Sequence, residues 1–414
     1  MGEFVMQEEQ KLSILKDIIA IQSVNDHEKD VAVYLKQLFD ETGIKNDILP
    51  LGDSKTRANL VAEIGNGKPV LAISGHMDVV EVDADRWDTD PFTLTEKDGN
   101  LYGRGATDMK AGLVAMVIAM LELKESGAKI PGTIRLLATA GEEVGMPGAK
   151  AFKDQGYMDD VDALLITEPS GIYRAIYANK GELNVTVKSA GKAAHSSMPY
   201  LGNNAVEHLI AVLQKIKTEV KDITADFNND VLGKTVINID TIKGGNQVNA
   251  IPSAAEAEIN IRTIPEFDNA KIWTKLQDIV NAYNASGTGE ITITVGMDVT
   301  PISGNSDSKL LKDIQRIAAP FVSSDKLSDD ERQKLRAEAK AVGIQNYTPG
   351  EIIAEGVPGG TDASQLIINQ PVGFDFVMYG PGNNTPHQDN EFVPKSQFLN
   401  FINIYKQLFM EFGI

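Results

Sequence analysis

The chain has 414 residues, 42% hydrophobic and 23% charged, with a formal net charge of −19 and no cysteine. That length and apolar fraction support a large core and two domains, while the lack of cysteine removes disulfides, thiolate metal sites and a cysteine nucleophile. So acidic a balance works against nucleic acid or an anionic membrane as a partner, because such binding rests on basic residues that neutralise phosphates; here the charge chiefly favours solubility.

Taken in chain order, Met6 is read as the natural start, with Met1-Gly2-Glu3-Phe4-Val5 an addition. The acidic N-terminus is unlike a secretory leader, so a cytoplasmic location is expected. Helices are predicted over 12–21 and 26–41, the second closed by Gly43. The apolar run 70–73 reads as a buried strand that ends in Ser74-Gly75-His76-Met77-Asp78. Asp78, two residues beyond His76, is placed to orient its imidazole. Next comes Gly103-Arg104-Gly105-Ala106-Thr107-Asp108, directly before a helix over 109–125 whose apolar stretch, 111–121, is too short to cross a bilayer. Gly103-x-Gly105 invites a dinucleotide-binding reading, but the third glycine of that fingerprint is Asp108, and a carboxylate there repels a pyrophosphate and suits a cation.

A strand over 133–139 leads into Glu142-Glu143, and one over 163–167 into Glu168. From residue 183 the predicted order is strand 183–189, helix 203–218, strands 235–242 and 255–263, helix 267–284 and strand 290–295. That is the split βαβ order of a ferredoxin-like α+β domain, here inserted over 183–295. The flanking parts, 1–182 and 296–414, are expected to form one α/β catalytic domain, a doubly wound mixed sheet with its site at strand ends. The charged stretch 323–341 reads as a solvated helix, with a lid or interface role as the alternative. The turn-rich Gly380-Pro381-Gly382-Asn383-Asn384-Thr385-Pro386-His387 follows.

His76, Asp108, Glu143, Glu168 and His387 are all metal-ligating types at the ends of elements, with Glu142 beside the third. Singly, each has an ordinary reading as a core, surface or solvated residue. Together they fit a two-metal hydrolase site: zinc takes neutral imidazole and carboxylate oxygen, and a paired-ion site polarises a scissile carbonyl.

The motifs Gly75-His76-Met77-Asp78, Gly103-Arg104-Gly105-Ala106-Thr107-Asp108-Met109-Lys110, Gly141-Glu142-Glu143, Glu168-Pro169-Ser170 and Pro386-His387 resemble those of a metallopeptidase and deacylase family. It includes acetylornithine deacetylase, succinyl-diaminopimelate desuccinylase, glutamate carboxypeptidase, aminoacylase and several dipeptidases. The resemblance runs from about residue 12 to the C-terminus and implies two zinc ions, with cobalt or manganese as substitutes. By it Asp108 bridges the ions, His76 and Glu168 complete one site, Glu143 and His387 complete the other, and Glu142 is the general base. It also implies a cis peptide bond after Asp108.

Gly191-Lys192-Ala193-Ala194-His195-Ser196-Ser197 resembles the family motif whose histidine donates to the tetrahedral oxyanion, in dimeric members from the partner subunit. The implied catalytic set is Glu142, Asp78 and His195. Asn249 and Arg262 match positions that bind a substrate carboxylate, a role that suits the guanidinium fork. Gly359-Gly360-Thr361-Asp362 resembles the loop lining the acyl pocket, which gives Gly360 and Thr361 as substrate contacts. His27 and His208, on predicted helices, are read as structural. The expectation is a cytoplasmic homodimer joined through 183–295 that cleaves the amide of an N-acyl amino acid or short peptide. N-succinyl-diaminopimelate, an intermediate of lysine biosynthesis, is the first choice, with acetylornithine or a dipeptidase or carboxypeptidase substrate as alternatives. An inactive binding protein on the same fold would be expected to lack the base or a ligand, and this chain has all of them.

Overall fold

Val70–His76, Thr133–Thr139, Ala163–Pro169 and Asp375–Gly380 are nearly continuous apolar runs, buried on both faces. Strands of that kind pair in parallel with helices covering them, and these four do so as the middle of one sheet. The computed structural model describes residues 4–287, 289–322, 327–333, 336 and 347–413. The antiparallel strands Ala58–Gly65 and Lys45–Pro50 extend the sheet beyond Thr133–Thr139, and Arg174–Asn179 pairs beyond Asp375–Gly380, which makes it mixed. No strand was predicted over 45–65. Lys45–Pro50 lies on an edge, ends in proline and has no buried residue, so its sequence carries little strand signal.

Two compact units divide the chain: Met1–Tyr177 with Gly304–Glu355 and Thr361–Ile414, and Ala178–Ser303 with Gly356–Gly360. In the first, helix Lys110–Glu125 is buried from Lys110 to Leu123 and packs on helices Glu8–Ala20 and Lys395–Glu411. Gly112 lets this helix approach the carbonyl of Thr167, where a Cβ would collide. Gly43 closes helix Lys29–Thr42 in the left-handed region, φ 67°. Among the described residues no helix is long and apolar enough to cross a membrane.

The second unit is wider than the predicted 183–295 and has the ferredoxin-like order. Its antiparallel sheet runs Val236–Gly244, Ala254–Thr263, Gly181–Ala190, Glu290–Val299. Helices Ala205–Thr224 and Asn269–Ala285 share one core with that sheet, built from residues such as Leu183, Leu209, Ile259 and Leu276. Each helix begins at a side-chain cap, Asn204 accepting from Val206 N and Asp268 from Lys271 N. His208 is held by Tyr283 Oη at 2.8 Å and by Asn203 Oδ1, in keeping with its structural reading. His27 is exposed, its Nδ1 facing the carbonyls of Val24 and Asn25. Of the charged stretch 323–341, residues 323–326, 334, 335 and 337–341 lie outside the described residues. In the remainder Ser328 Oγ bonds Glu331 at 2.7 Å.

Candidate metal centre

All four parallel strands deliver a candidate ligand at the carboxyl end, where an open α/β sheet binds its ligands. His76 ends its own strand, Glu168 stands at the end of Ala163–Pro169, Glu143 lies in the turn after Thr133–Thr139, and His387 in the loop after Asp375–Gly380. Asp108 is placed from the side, just before helix Lys110–Glu125. The Asp108–Met109 peptide bond is cis.

The two oxygens of Asp108 face opposite ways. His76 Nε2 is 3.1 Å from Oδ1 and 3.6 Å from Glu168 Oε1. His387 Nε2 is 3.4 Å from Oδ2 and 2.7 Å from Glu143 Oε1. Two three-residue groups therefore share Asp108, each with its ligand atoms within 4.8 Å of one another, and Glu142 joins His76 and Glu143 in a third.

The electrostatics fit cations. Burial, and then the charge of Glu168, push the Glu142 carboxyl well above its usual range; burial, then Asp108, do the same to Glu168. Burial alone would lower the His76 pKa, but Glu168 and the Asp108 contact drive it well above the ordinary value. Hydrogen bonds to Asp108 and Glu143 lift His387 to about 10. Burial opposes ionisation of Asp108, yet the two imidazoles hold its pKa down. Crowded carboxylates that stabilise positive charge on both imidazoles would equally stabilise divalent ions, and imidazole nitrogen with carboxylate oxygen is a donor set for zinc.

Asp78 was expected to accept from the His76 imidazole. It does so through its backbone: His76 Nδ1 donates to the Asp78 carbonyl at 3.0 Å, while the carboxylate stands 3.6 Å off. That carboxylate accepts from the backbone N–H groups of Gly141, Glu142 and Glu143 at 2.8, 3.2 and 3.1 Å, fixing the turn that carries both glutamates. Gly141 adopts φ 78° there, and a Cβ on it would strike the guanidinium of Arg57, itself paired with Glu28 and Asp26.

Two buried acids were not singled out from the sequence. Asp362 accepts from Thr139 Oγ1 at 2.5 Å, its Oδ1 has no hydrogen-bond partner among the described residues, and burial raises its pKa to about 7. Glu391 is bonded to the loop before Asp108. The motif Gly359-Gly360-Thr361-Asp362 signalled the first, and only a position four residues after His387 pointed to the second.

Thr361 is buried, its Oγ1 accepting from Ala363 N at 3.3 Å. In the second unit His195 is exposed on a two-residue strand paired with Ala250–Ile251. Ser197 N donates to His195 Nδ1 at 3.2 Å, so the neutral ring carries its proton on Nε2. Asn249 is exposed and Gly360 half-buried. Arg262 already has a carboxylate: its Nη1 is 2.8 Å from Glu182 Oε2 and 3.2 Å from the carbonyl of Pro358.

The profile of peptidase family M20/M25/M40 matches residues 72–411. The chain belongs to that family. Members are metal-dependent peptidases and deacylases, and this chain is a hydrolase acting on amide bonds. It is 39% identical over 429 residues, 98% of each chain, to a Staphylococcus epidermidis protein named probable succinyl-diaminopimelate desuccinylase. It is 30% identical over 318 residues to acetylornithine deacetylase of Proteus mirabilis, covering 74% of this chain and 81% of that one. The fold is shared with the solved structure of Bacillus subtilis YXEP, titled a dinuclear metal binding peptidase of the M20 family, at a TM-score of 0.65, 17% identity and 97% coverage of each chain.

Proposed function

We propose that the chain hydrolyses the amide bond of an N-acyl amino acid, N-succinyl-diaminopimelate first among them, and so serves lysine biosynthesis. The observation that carries the chemistry is Asp108 shared between two histidine-carboxylate groups with Glu142 beside them. The substrate choice is supported by full-length similarity to the Staphylococcus protein.

In this reading His76, Asp108 and Glu168 hold one zinc ion, and Asp108, Glu143 and His387 the other, with cobalt or manganese as substitutes. Metal held by these residues would supply Lewis acidity, polarising the scissile carbonyl and making water more acidic. Glu142 accepts the proton of the attacking water and returns it to the leaving amine nitrogen, since its neighbour Glu143 is occupied with His387. Asp78 holds the turn on which both stand. His195, with its proton on Nε2, is the donor to the tetrahedral oxyanion, and Asn249, Arg262, Gly360 and Thr361 bind substrate. Arg262 would take a substrate carboxylate in competition with, or beside, Glu182.

Acetylornithine is the second reading, favoured by the Proteus similarity. A panel of succinyl-diaminopimelate, acetylornithine and several dipeptides, assayed by amine release with zinc-loaded protein, separates them. The expected result is the highest kcat/KM on succinyl-diaminopimelate. A tenfold or greater preference for another substrate would replace it, and no amine release from any would remove the reaction class.

A further inference from the structure

The loop that carries Asp108 is wrapped around one carboxylate from the loop of His387. Glu391 is 0% exposed. Its Oε1 accepts from the backbone N–H groups of Thr107 and Asp108, at 2.7 and 2.8 Å. Its Oε2 accepts from Gly105 N at 3.0 Å and from Arg104 Nη1 at 2.6 Å. Its own carbonyl accepts from Gly103 N at 3.0 Å, and Thr107 Oγ1 donates to the next carbonyl, that of Phe392. Successive backbone N–H groups that converge on one anion make a fixed cradle. The cradle here ends at Asp108, and its anion lies four residues beyond His387.

We propose that Glu391 is a positioning residue of the metal centre: it fixes the backbone from which Asp108 reaches between the two histidine groups, and ties the loop of His387 to the same point. This rests on the reading of Asp108 as the shared ligand. Glu391 touches neither ligand side chain. A ligand set shared by two ions tolerates little displacement of the shared group, because both half-sites lose geometry together. A carboxylate is required, because all its donors are N–H groups and both oxygens accept. In Glu391→Gln one oxygen becomes an NH2 group that faces those donors with no lone pair to offer.

The experiment uses the full chain, stripped of metal and titrated with cobalt. In Glu391→Gln the cobalt affinity should fall roughly 10–100-fold, the usual consequence of removing an outer partner of a metal ligand. The visible spectrum of the cobalt protein should change, and kcat should fall far more than KM changes. Glu391→Asp, which keeps the charge and shortens the reach, should recover part of each. A Glu391→Gln protein with wild-type cobalt affinity and spectrum, but a lower melting temperature, would show a purely structural role and overturn the proposal. Asp108→Asn is measured alongside: if it still binds two ions like wild type, the shared-ligand reading and this inference fail together. If Asp108→Asn loses metal and Glu391→Gln does not, only the inference fails. Should Glu391→Gln not fold, hydrogen exchange on metal-free wild-type protein decides. The amides of Thr107 and Asp108 should be protected, and rapid exchange at both would overturn the inference.

Discussion

Glu142 and Glu143 are adjacent in sequence and receive different work from their surroundings. Both backbone N–H groups point at the Asp78 carboxylate, so the turn is rigid and each side chain has a fixed exit. Glu143 meets His387 at 2.7 Å, whereas Glu142 lies within reach of His76 and Glu143, where burial and neighbouring acids favour its protonated form. A carboxylate standing beside the candidate ligand set is suited to taking a proton from water and handing it on. Glu142→Gln should therefore keep both metals and lower turnover by at least ~100-fold, since a positioned general base contributes roughly 10²–10⁴. Metal content by mass spectrometry together with steady-state kinetics checks this, and loss of metal would exchange the roles of the two glutamates. The candidate ligands were legible as such from the sequence because each is a metal-ligating type at a strand or helix end beside turn residues. Glu391 was not, and Asp362 only as the last residue of a glycine-rich motif, since an acid declares its purpose only through partners, and theirs are Thr139, the Arg104 side chain and the 105–108 backbone, far away in the chain. Asp78 was legible as a supporting residue but not in its manner of support, because a carbonyl is present at every position and leaves no mark in sequence.

At the scale of elements, the helix that presents Asp108 is held from behind. Glu122, near its C-terminal end and fully buried, is 3.0 Å from Lys11 Nζ and 2.7 Å from Lys406 Nζ, and Met6 N donates to its Oε1 at 2.8 Å. One acid thus binds helices Glu8–Ala20 and Lys395–Glu411 to Lys110–Glu125. Both lysines are more than nine-tenths buried, so removing the acid takes a close carboxylate away from two buried ammonium groups. Glu122→Ala should cost about 3–5 kcal/mol, the range for breaking a buried ion pair from one side, measured by denaturant unfolding. A loss below about 1 kcal/mol would show that Glu122 is not what compensates these charges. The long buried helix was plain from its apolar length, as were the central strands Val70–His76, Thr133–Thr139 and Ala163–Pro169 and the strand-helix order of the second unit, whereas no strand was predicted over Asp375–Gly380. The edge strand Lys45–Pro50 was not, because its pairing with Ala58–Gly65 is fixed by the neighbour's backbone and not by its own alternation.

At the scale of the whole molecule, the inserted unit carries His195 far along the chain from every ligand, with its proton on Nε2 and the ring exposed. If that donor serves a partner subunit, His195→Ala should lower turnover by roughly 10²–10³ without changing metal content, because such a donor acts on charge that develops only in the transition state. Mixing His195→Ala with Glu142→Gln protein should then restore part of the activity, as one of the two sites in a mixed dimer has an intact Glu142 and receives an intact His195. Full subunit exchange with no recovery would confine His195 to its own chain. The place of Asp375–Gly380 in the large sheet, between Ala163–Pro169 and Arg174–Asn179, bears on how the protein is made. During synthesis the first unit's sheet must wait with a gap at its centre until nearly the whole chain has left the ribosome, whereas Ala178–Ser303 has long since emerged. The inserted unit can mature early on short-range contacts, while unpaired edges of the unfinished parallel strands stay in need of protection, making the nascent catalytic unit the part of this protein most dependent on chaperones.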